Sequence, residues 1–286
     1  MTNEALMSPA AAKDAGSAPE PLVAFRDVRV TFDGEDVLRG ISFDVWHGET
    51  KVLLGETGSG KTLLMKLAAG LLRPAEGRIL VMGRDVTEMP ERELLDFRRR
   101  IGFVFQEGAL FDSMTVAGNV AFRLIEEDLP QEEIDTRVRE ALRFVELEDA
   151  IDQFPAELSG GMRRRASIAR ALIDRPSVVF YDSPTAGLDP VTSQTIITLI
   201  LRGRDSQGVT SLLATHRVQD AFGLANFRFD AATSRVVRTD PRGPEAVKAP
   251  TNVLVLRDGK IYWQGAAEEM LDASDEYLKE FLISAE

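Results

Sequence analysis

Hydrophobic and polar positions change period several times along this chain, and each change predicts an element. Residues 1–21, rich in Ala, Pro and Ser, offer no face to pack and predict a disordered tail. From Leu22 come two short β-rich runs, LVAFRDVRVTF and ISFDVWHGET. In KVLLGETGSGKTLLMKLAAGLL an apolar strand meets a Gly-rich turn and then a helical period, which makes a strand, loop, helix unit. RILVMG, RIGFVF, SVVFYD and TSLLAT are further apolar runs of strand length. The last two have helical segments between and after them, which predicts a mainly parallel sheet covered on both faces. From 107 to 160 the strand signal disappears. Ile134, Val138, Ala141, Leu142 and Val145 recur there at helical spacing, so a helical subdomain is expected. Residues 227–250, FRFDAATSRVVRTDPRGPEAVKAP, read as an irregular surface insertion. VLVLRDGKIYWQG predicts a hairpin turned at Asp258-Gly259, and 266–286 a C-terminal helical extension.

Composition narrows the class. At 286 residues, 44% hydrophobic and 28% charged, the chain suits one large or two ordinary soluble domains. It has no cysteine, which removes disulfides and thiolate metal sites. The N-terminus lacks the basic start and apolar run of a signal peptide, and no stretch approaches the roughly 18 apolar residues of a membrane span. The expectation is therefore a cytoplasmic protein whose membrane connection runs through a partner. A formal net charge of −12 disfavours nucleic acid as a partner. The acidity is local, because residues 126–157 hold twelve carboxylates against Arg137, Arg139 and Arg143.

Gly55-Glu56-Thr57-Gly58-Ser59-Gly60-Lys61-Thr62 fits G-x-x-x-x-G-K-[ST] between a strand and a helix. Glycines let successive backbone N–H groups converge on phosphate oxygens at a helix N-terminus. Lys61 would reach the β and γ phosphates and Thr62 would ligate Mg²⁺. Asp182 ends SVVFYD, at the sheet edge where ligands of open α/β folds bind. A lone Asp there is commonly a turn residue, but the phosphate loop upstream favours a second Mg²⁺ holder. Leu158 to Leu172, LSGGMRRRASIARAL, places Ser159, Gly160 and Gly161 directly before a helix carrying Arg163, Arg164, Arg165 and Arg170. This fits either a second anion-binding helix N-terminus or a Ser N-cap with a solvated basic face.

Leu158-Ser159-Gly160-Gly161-Met162, ahead of the SVVFYD strand, resembles the signature of ATP-binding cassette (ABC) ATPases, and motif order and spacing match from about residue 22 to 265. The resemblance implies a P-loop α/β fold: a RecA-like parallel-sheet core, an N-terminal antiparallel β-region and the helical subdomain. It implies ATP and Mg²⁺ as cofactors. Gln106 resembles the residue that meets Mg²⁺ and the attacking water, His216 the switch histidine at the γ-phosphate, and Asp189 in AGLD the loop that reaches across a dimer. Phe32 takes the place of the aromatic that stacks on adenine, although a strand-core Phe fits it as well. Glu56 is a tolerated variant without a catalytic role. One phosphate loop and one signature per chain imply a dimer with two sites.

One position departs from the family: Ser183 stands where its catalytic glutamate is expected, which predicts slow turnover. FVFQEGALFDSMTVAGNVAFRL and Met162 resemble the Mla/Mce ATPases that energise lipid movement between the membranes of diderm bacteria. That likeness implies an MlaE-type permease, an Mce-domain protein and a STAS-domain regulator as partners, at the cytoplasmic face of the inner membrane. Phe111 then faces the permease or, with Phe122, packs inside the helical subdomain. A hydrolysis-impaired cassette of a heterodimer and a soluble non-transport ABC protein are the alternatives.

Overall fold

The computed structural model describes residues 20–127, 129–239 and 251–283. The predicted tail therefore lies almost wholly outside the described residues, as does 240–250 of the predicted insertion. Strand β1 (Val23–Phe32) pairs antiparallel with β2 (Glu35–Val45). After β3 (Thr50–Leu54) and helix α1 (Lys61–Ala68), β4 (Glu76–Val81) returns to pair antiparallel with β1, and β5 (Arg84–Asp85) completes a four-stranded sheet. RILVMG thus belongs to the antiparallel sheet, a placement its apolar run left open. Glu76, Gly77 and Arg78 on β4 are exposed, so only part of that strand has the burial of a parallel-sheet core.

Next come α2 (Glu91–Arg98), β6 (Ile101–Val104), α3 (Val116–Ile125), α4 (Gln131–Phe144), α5 (Gly160–Leu172), β7 (Val178–Asp182), α6 (Pro190–Gln207), β8 (Thr210–Thr215) and α7 (Val218–Asn226). The chain continues through β9 (Phe227–Asp230), β10 (Arg235–Arg238), β11 (Thr251–Arg257), β12 (Lys260–Ala266), α8 (Ala267–Leu271) and α9 (Glu276–Ile283). The second sheet has the order β12-β11-β3-β8-β7-β6, with β12 antiparallel at the edge and the other pairs parallel.

Alternation along the buried strands divides the core. Val52, Leu54, Val179, Tyr181, Leu213, Val253 and Val255 face α3 to α7, whereas Leu53, Val178, Phe180, Leu212, Leu254 and Leu256 face α1, α2 and the antiparallel sheet. A period of two with both faces covered is what makes these strands read as continuous apolar runs. On α4, Ile134, Val138 and Leu142 are buried, the stripe that the spacing predicted.

The predicted irregular insertion is corrected in its described part. β9 and β10 form an antiparallel hairpin whose Phe227, Phe229 and Val236 pack on the core. Arg202 lies over the Phe229 ring at 5.6 Å and the Phe144 ring at 4.7 Å. Arg204 donates to the carbonyls of Leu224 at 2.9 Å and Phe227 at 3.1 Å. The hairpin was hidden because FRFD and RVVR are four-residue strands, too short for a period to stand out. The β11–β12 turn is at Asp258 (φ 50°) and Gly259 (φ 72°), as its Asp-Gly pair predicts.

Candidate nucleotide site

Four strand ends meet at one edge of the parallel sheet. Leu54 pairs with Thr215, Asp182 with Ala214, and Val104 with Tyr181, so the loops that start at Gly55, His216, Ser183 and Phe105 all leave the sheet on the same side. Gly55 has φ 151°, and a Cβ there would lie 2.5 Å from the Leu256 carbonyl oxygen; Gly60 has φ 100°, and its Cβ would meet Leu38 Cδ2 at 2.6 Å. Glycine lets this loop run against the core at both points. Gly60 also caps α1 without a side-chain bond, which leaves first-turn amides for an anion.

Lys61 donates to the carbonyls of Gly55 (2.8 Å) and Glu56 (2.7 Å) and to Ser59 Oγ (3.4 Å). Burial pushes its pKa below the usual lysine range, against the attraction of Asp182 and Glu56. Thr62 Oγ1 donates to Asp182 Oδ1 at 2.9 Å. A hydroxyl and a carboxylate held this close are hard oxygen donors that fit Mg²⁺, an ion usually held by one or two carboxylates together with phosphate oxygens and water.

A cleft of about 450 Å³ is lined by Phe32, Thr57, Gly58, Gly60, Lys61, Thr62, Gln106, Ser183 and His216, among others. Phe32 is 48% exposed at the end of β1, so it is a wall residue and not a core one. Gln106 and His216 are exposed side chains on separate loops. Ser183 adopts φ 48° and donates its N–H to the Ala214 carbonyl at 2.8 Å; its hydroxyl has one long contact, 3.4 Å to Asp182 Oδ1.

The Ser159 segment does not line this cleft. Ser159 caps α5, accepting from the Met162 N–H at 3.2 Å. A Cβ on Gly161 would lie 2.4 Å from Thr192 Cγ2, so the start of α5 packs tightly on the start of α6. Asp189 is exposed and caps α6, accepting from the N–H groups of Val191 and Thr192, both at 3.0 Å. The side-chain bond from Thr192, then those amides, hold its carboxyl below the usual range.

The Ser N-cap of that helix is present, but its arginines correct the reading of a solvated basic face, since each is engaged by backbone carbonyls. Arg163 donates to the Leu158 carbonyl, Arg164 to Phe105, Arg165 to Val145 and Glu146, and Arg170 to Gly108 and Ala109. They staple the helix to its neighbours.

Three organising side chains carried no sequence signal. Asp220, 2% exposed, accepts from Thr185 Oγ1 at 2.6 Å and Thr215 Oγ1 at 2.7 Å. Arg217 donates to the Thr185 carbonyl at 3.3 Å and to Ser193 Oγ on α6 at 2.9 Å, so the segment after β8 is tied to the loop after β7 and to the helix that follows it. Asn119, fully buried, bonds both the N–H and the carbonyl of Phe111. That residue is 41% exposed, yet one face of its ring contacts Phe122 at 4.6 Å between centroids. Phe111 therefore packs in part inside the helical subdomain, as one reading expects, and leaves the rest of its ring exposed.

Known proteins share this arrangement. A family model described as ABC transporter matches residues 38–186. The methionine import ATP-binding protein of Rhizobium johnstonii is 40% identical over 75% of this chain and 59% of its own length. The spermidine/putrescine import ATP-binding protein of Vibrio cholerae is 33% identical over 84% of the chain and 62% of its own length. The intermembrane phospholipid transport ATP-binding protein MlaF of Haemophilus influenzae is 32% identical over 90% of the chain and 86% of its own length. The chain thus spans about three fifths of the methionine and polyamine relatives. Among solved structures, cbiO1 of Clostridium perfringens, part of an ABC transporter complex, superposes with TM-score 0.74 at 28% identity over 92% of this chain and 95% of that one. A dimeric ATP-binding cassette with ADP and Pi gives TM-score 0.71 at 27% identity over 86% and 98%. With the Lys61 loop, the Thr62–Asp182 pair and the capped Ser159 helix in one fold, and with these matches, the chain belongs to the ABC transporter family.

Proposed function

We propose that this protein is the ATP-binding and hydrolysing subunit of a membrane transporter, working as a dimer in which each ATP is enclosed by the Lys61 loop of one copy and the Ser159 helix of the other. The observation that carries the reading is the cleft in which Lys61, Thr62, Gln106, Ser183 and His216 meet beside Asp182 without any residue of the Ser159 segment. ATP would supply the phosphoryl group, and a bound Mg²⁺, held by Thr62 and Asp182, would supply charge neutralisation for its transfer. The chain's part is to bind and position: Lys61 and the loop amides hold phosphate oxygens, Thr62 and Asp182 hold the metal, and Phe32 offers its ring to the base. Gln106 and His216 orient the water and the γ-phosphate. A serine hydroxyl is no base near neutral pH, so the residue at 183 leaves water activation to positioning alone. The same observation favours a second reading, a hydrolysis-impaired cassette whose base comes from a different partner.

For cargo we propose phospholipid or another lipid moved between the membranes of a diderm bacterium. Support comes from the GALFD stretch at 108–112 and from MlaF, which of the three relatives named is matched over the largest share of both chains. The partners are then an MlaE-type permease, an Mce-domain protein and a STAS-domain regulator, with this subunit at the cytoplasmic face of the inner membrane. Among the described residues no helix is long and apolar enough to cross a membrane, so attachment would go through the permease. Permease and Mce-domain genes beside this one are expected; an amino-acid or polyamine importer operon would overturn the lipid assignment.

Light scattering tests the dimer. ATP with Mg²⁺ should double the mass of the chain. Lys61→Ala should abolish nucleotide binding and closure together, while Ser159→Arg should keep monomer binding and lose only the dimer. A chain that stays monomeric at high concentration with ATP, alone and with its permease, refutes the sandwich.

A further inference from the structure

The loop that carries Gln106 is held from behind. Phe105 leaves β6, and its carbonyl accepts the Gly108 N–H at 2.9 Å, closing a tight turn with Gln106 and Glu107 at its corner. The same carbonyl accepts a second bond, from Arg164 Nη1 at 2.9 Å. Arg164 lies one turn into α5, the helix capped by Ser159, and is 5% exposed. The turn rides on that helix, since a Cβ on Gly108 (φ 83°) would lie 3.4 Å from the Arg163 carbonyl oxygen. Arg170 grips the far side of the turn through the Gly108 (2.9 Å) and Ala109 (2.8 Å) carbonyls.

We propose that Arg164 is a positioning residue that couples the Ser159 end of α5 to Gln106 through the Phe105 carbonyl, so that an ordered α5 sets Gln106 in the cleft. A neutral donor could make this bond. What distinguishes Arg164 is a buried cation whose charged form is disfavoured by burial and supported by Asp182 and then Glu107, whereas burial alone acts on Arg170. Arg164 is therefore bonded to the turn through the Phe105 carbonyl, while the nearby carboxylates of Asp182 and Glu107 favour its charge.

Only the kinetic arm of the test rests on the ATPase reading. Hydrogen exchange is followed on the full chain with and without ATP and Mg²⁺. Arg164→Met should speed exchange at Gln106 to Ala109 by about tenfold or more and leave Gly55 to Thr62 unchanged. Arg164→Lys, which keeps the charge and one donor, should restore most of the protection. Unchanged exchange at 106–109 overturns the proposal. If Arg164→Met fails to fold, Arg164→Lys decides: protection at 106–109 within about threefold of the unmodified chain supports the link, and its loss overturns it. In single-turnover hydrolysis, Arg164→Met and Gln106→Ala should be non-additive, the double variant being no slower than the slower single. Losses that multiply show that Arg164 does not act through Gln106. A chain with no measurable hydrolysis would sink the ATPase reading alone, and the exchange result would still decide the link.

Discussion

Replacing Ser183 by Glu tests whether the site lacks only a base. The backbone is already prepared: Ser183 sits at φ 48° with its N–H on the Ala214 carbonyl. Because Ser also bears a Cβ, the left-handed conformation, worth about 1–2 kcal/mol, is no new cost. Ser183 Oγ is 3.4 Å from Asp182 Oδ1, and the introduced carboxylate, further along its side chain, would stand at ~5 Å. At an effective dielectric constant of about 20, that separation gives roughly 3 kcal/mol of repulsion. The repulsion pushes the new carboxyl upward, toward the range where a general base works well. A positioned base contributes about 10²–10⁴-fold, or roughly 3–5.5 kcal/mol of barrier. Single-turnover hydrolysis with enzyme in excess over ATP should thus accelerate by about 10²-fold or more in Ser183→Glu, with ATP affinity little changed. If the unmodified chain is already fast and the substitution adds nothing, another group performs the task and the reasoning fails.

Further expectations follow from buried charge and from the exposed face of the helical subdomain. Glu49 and Lys51 form a 2.7 Å ion pair with side chains 0% and 3% exposed, so Lys51→Met should cost about 3–5 kcal/mol in urea unfolding, and Glu49→Gln added to it should recover part of the loss. Burial raises the Asp174 carboxyl above its ordinary 3.8, outweighing the pull of Arg123. The folded form then binds its proton more readily than the unfolded one, so the cost is full above the folded pKa and is relieved as pH falls through it toward 3.8. Asp174→Asn should flatten the pH dependence of the unfolding midpoint in that window. Phe111→Asp should weaken flotation with permease-containing membranes and leave ATP affinity unchanged; equal loss of both would mean a folding defect.

What the sequence disclosed follows from how local each signal is. The Lys61 loop was legible because glycine, lysine and threonine at fixed spacing meet the needs of one phosphate, and Asp182 because an apolar run ends on it. The hairpin at Asp258-Gly259 and the α4 stripe rest on a turn preference and a period, again within a few residues. Illegible parts depend on partners far along the chain. Arg164 looked like one of several basic residues on a helix, and only the fold brings it to Phe105, 59 positions away. Asp220 looked like a polar residue on a helix; its role appears when Thr185, 35 positions earlier, donates to it. The sheet to which RILVMG belongs was left open, because an apolar run carries no information about the direction of its neighbour.

On the proposed reading, a carboxylate missing at residue 183 would affect chemistry alone, and the local hydrogen bonds give a reason. The strand end is held by the bond from Ser183 N–H to Ala214 and by the Thr185 and Thr215 hydroxyls on Asp220, none of which involves the side chain at 183. Its hydroxyl contributes only the long contact to Asp182, which is also engaged by Thr62. A carboxylate can therefore be absent there without moving Asp182, Gln106 or His216. In the proposed dimer, nucleotide binding and closure would rest on Lys61, Thr62 and the Ser159 helix, so they would be separable from the rate at which ATP is cleaved. On this proposal the cassette would close on ATP and reopen slowly, and the lifetime of the closed state would be the property that residue 183 controls.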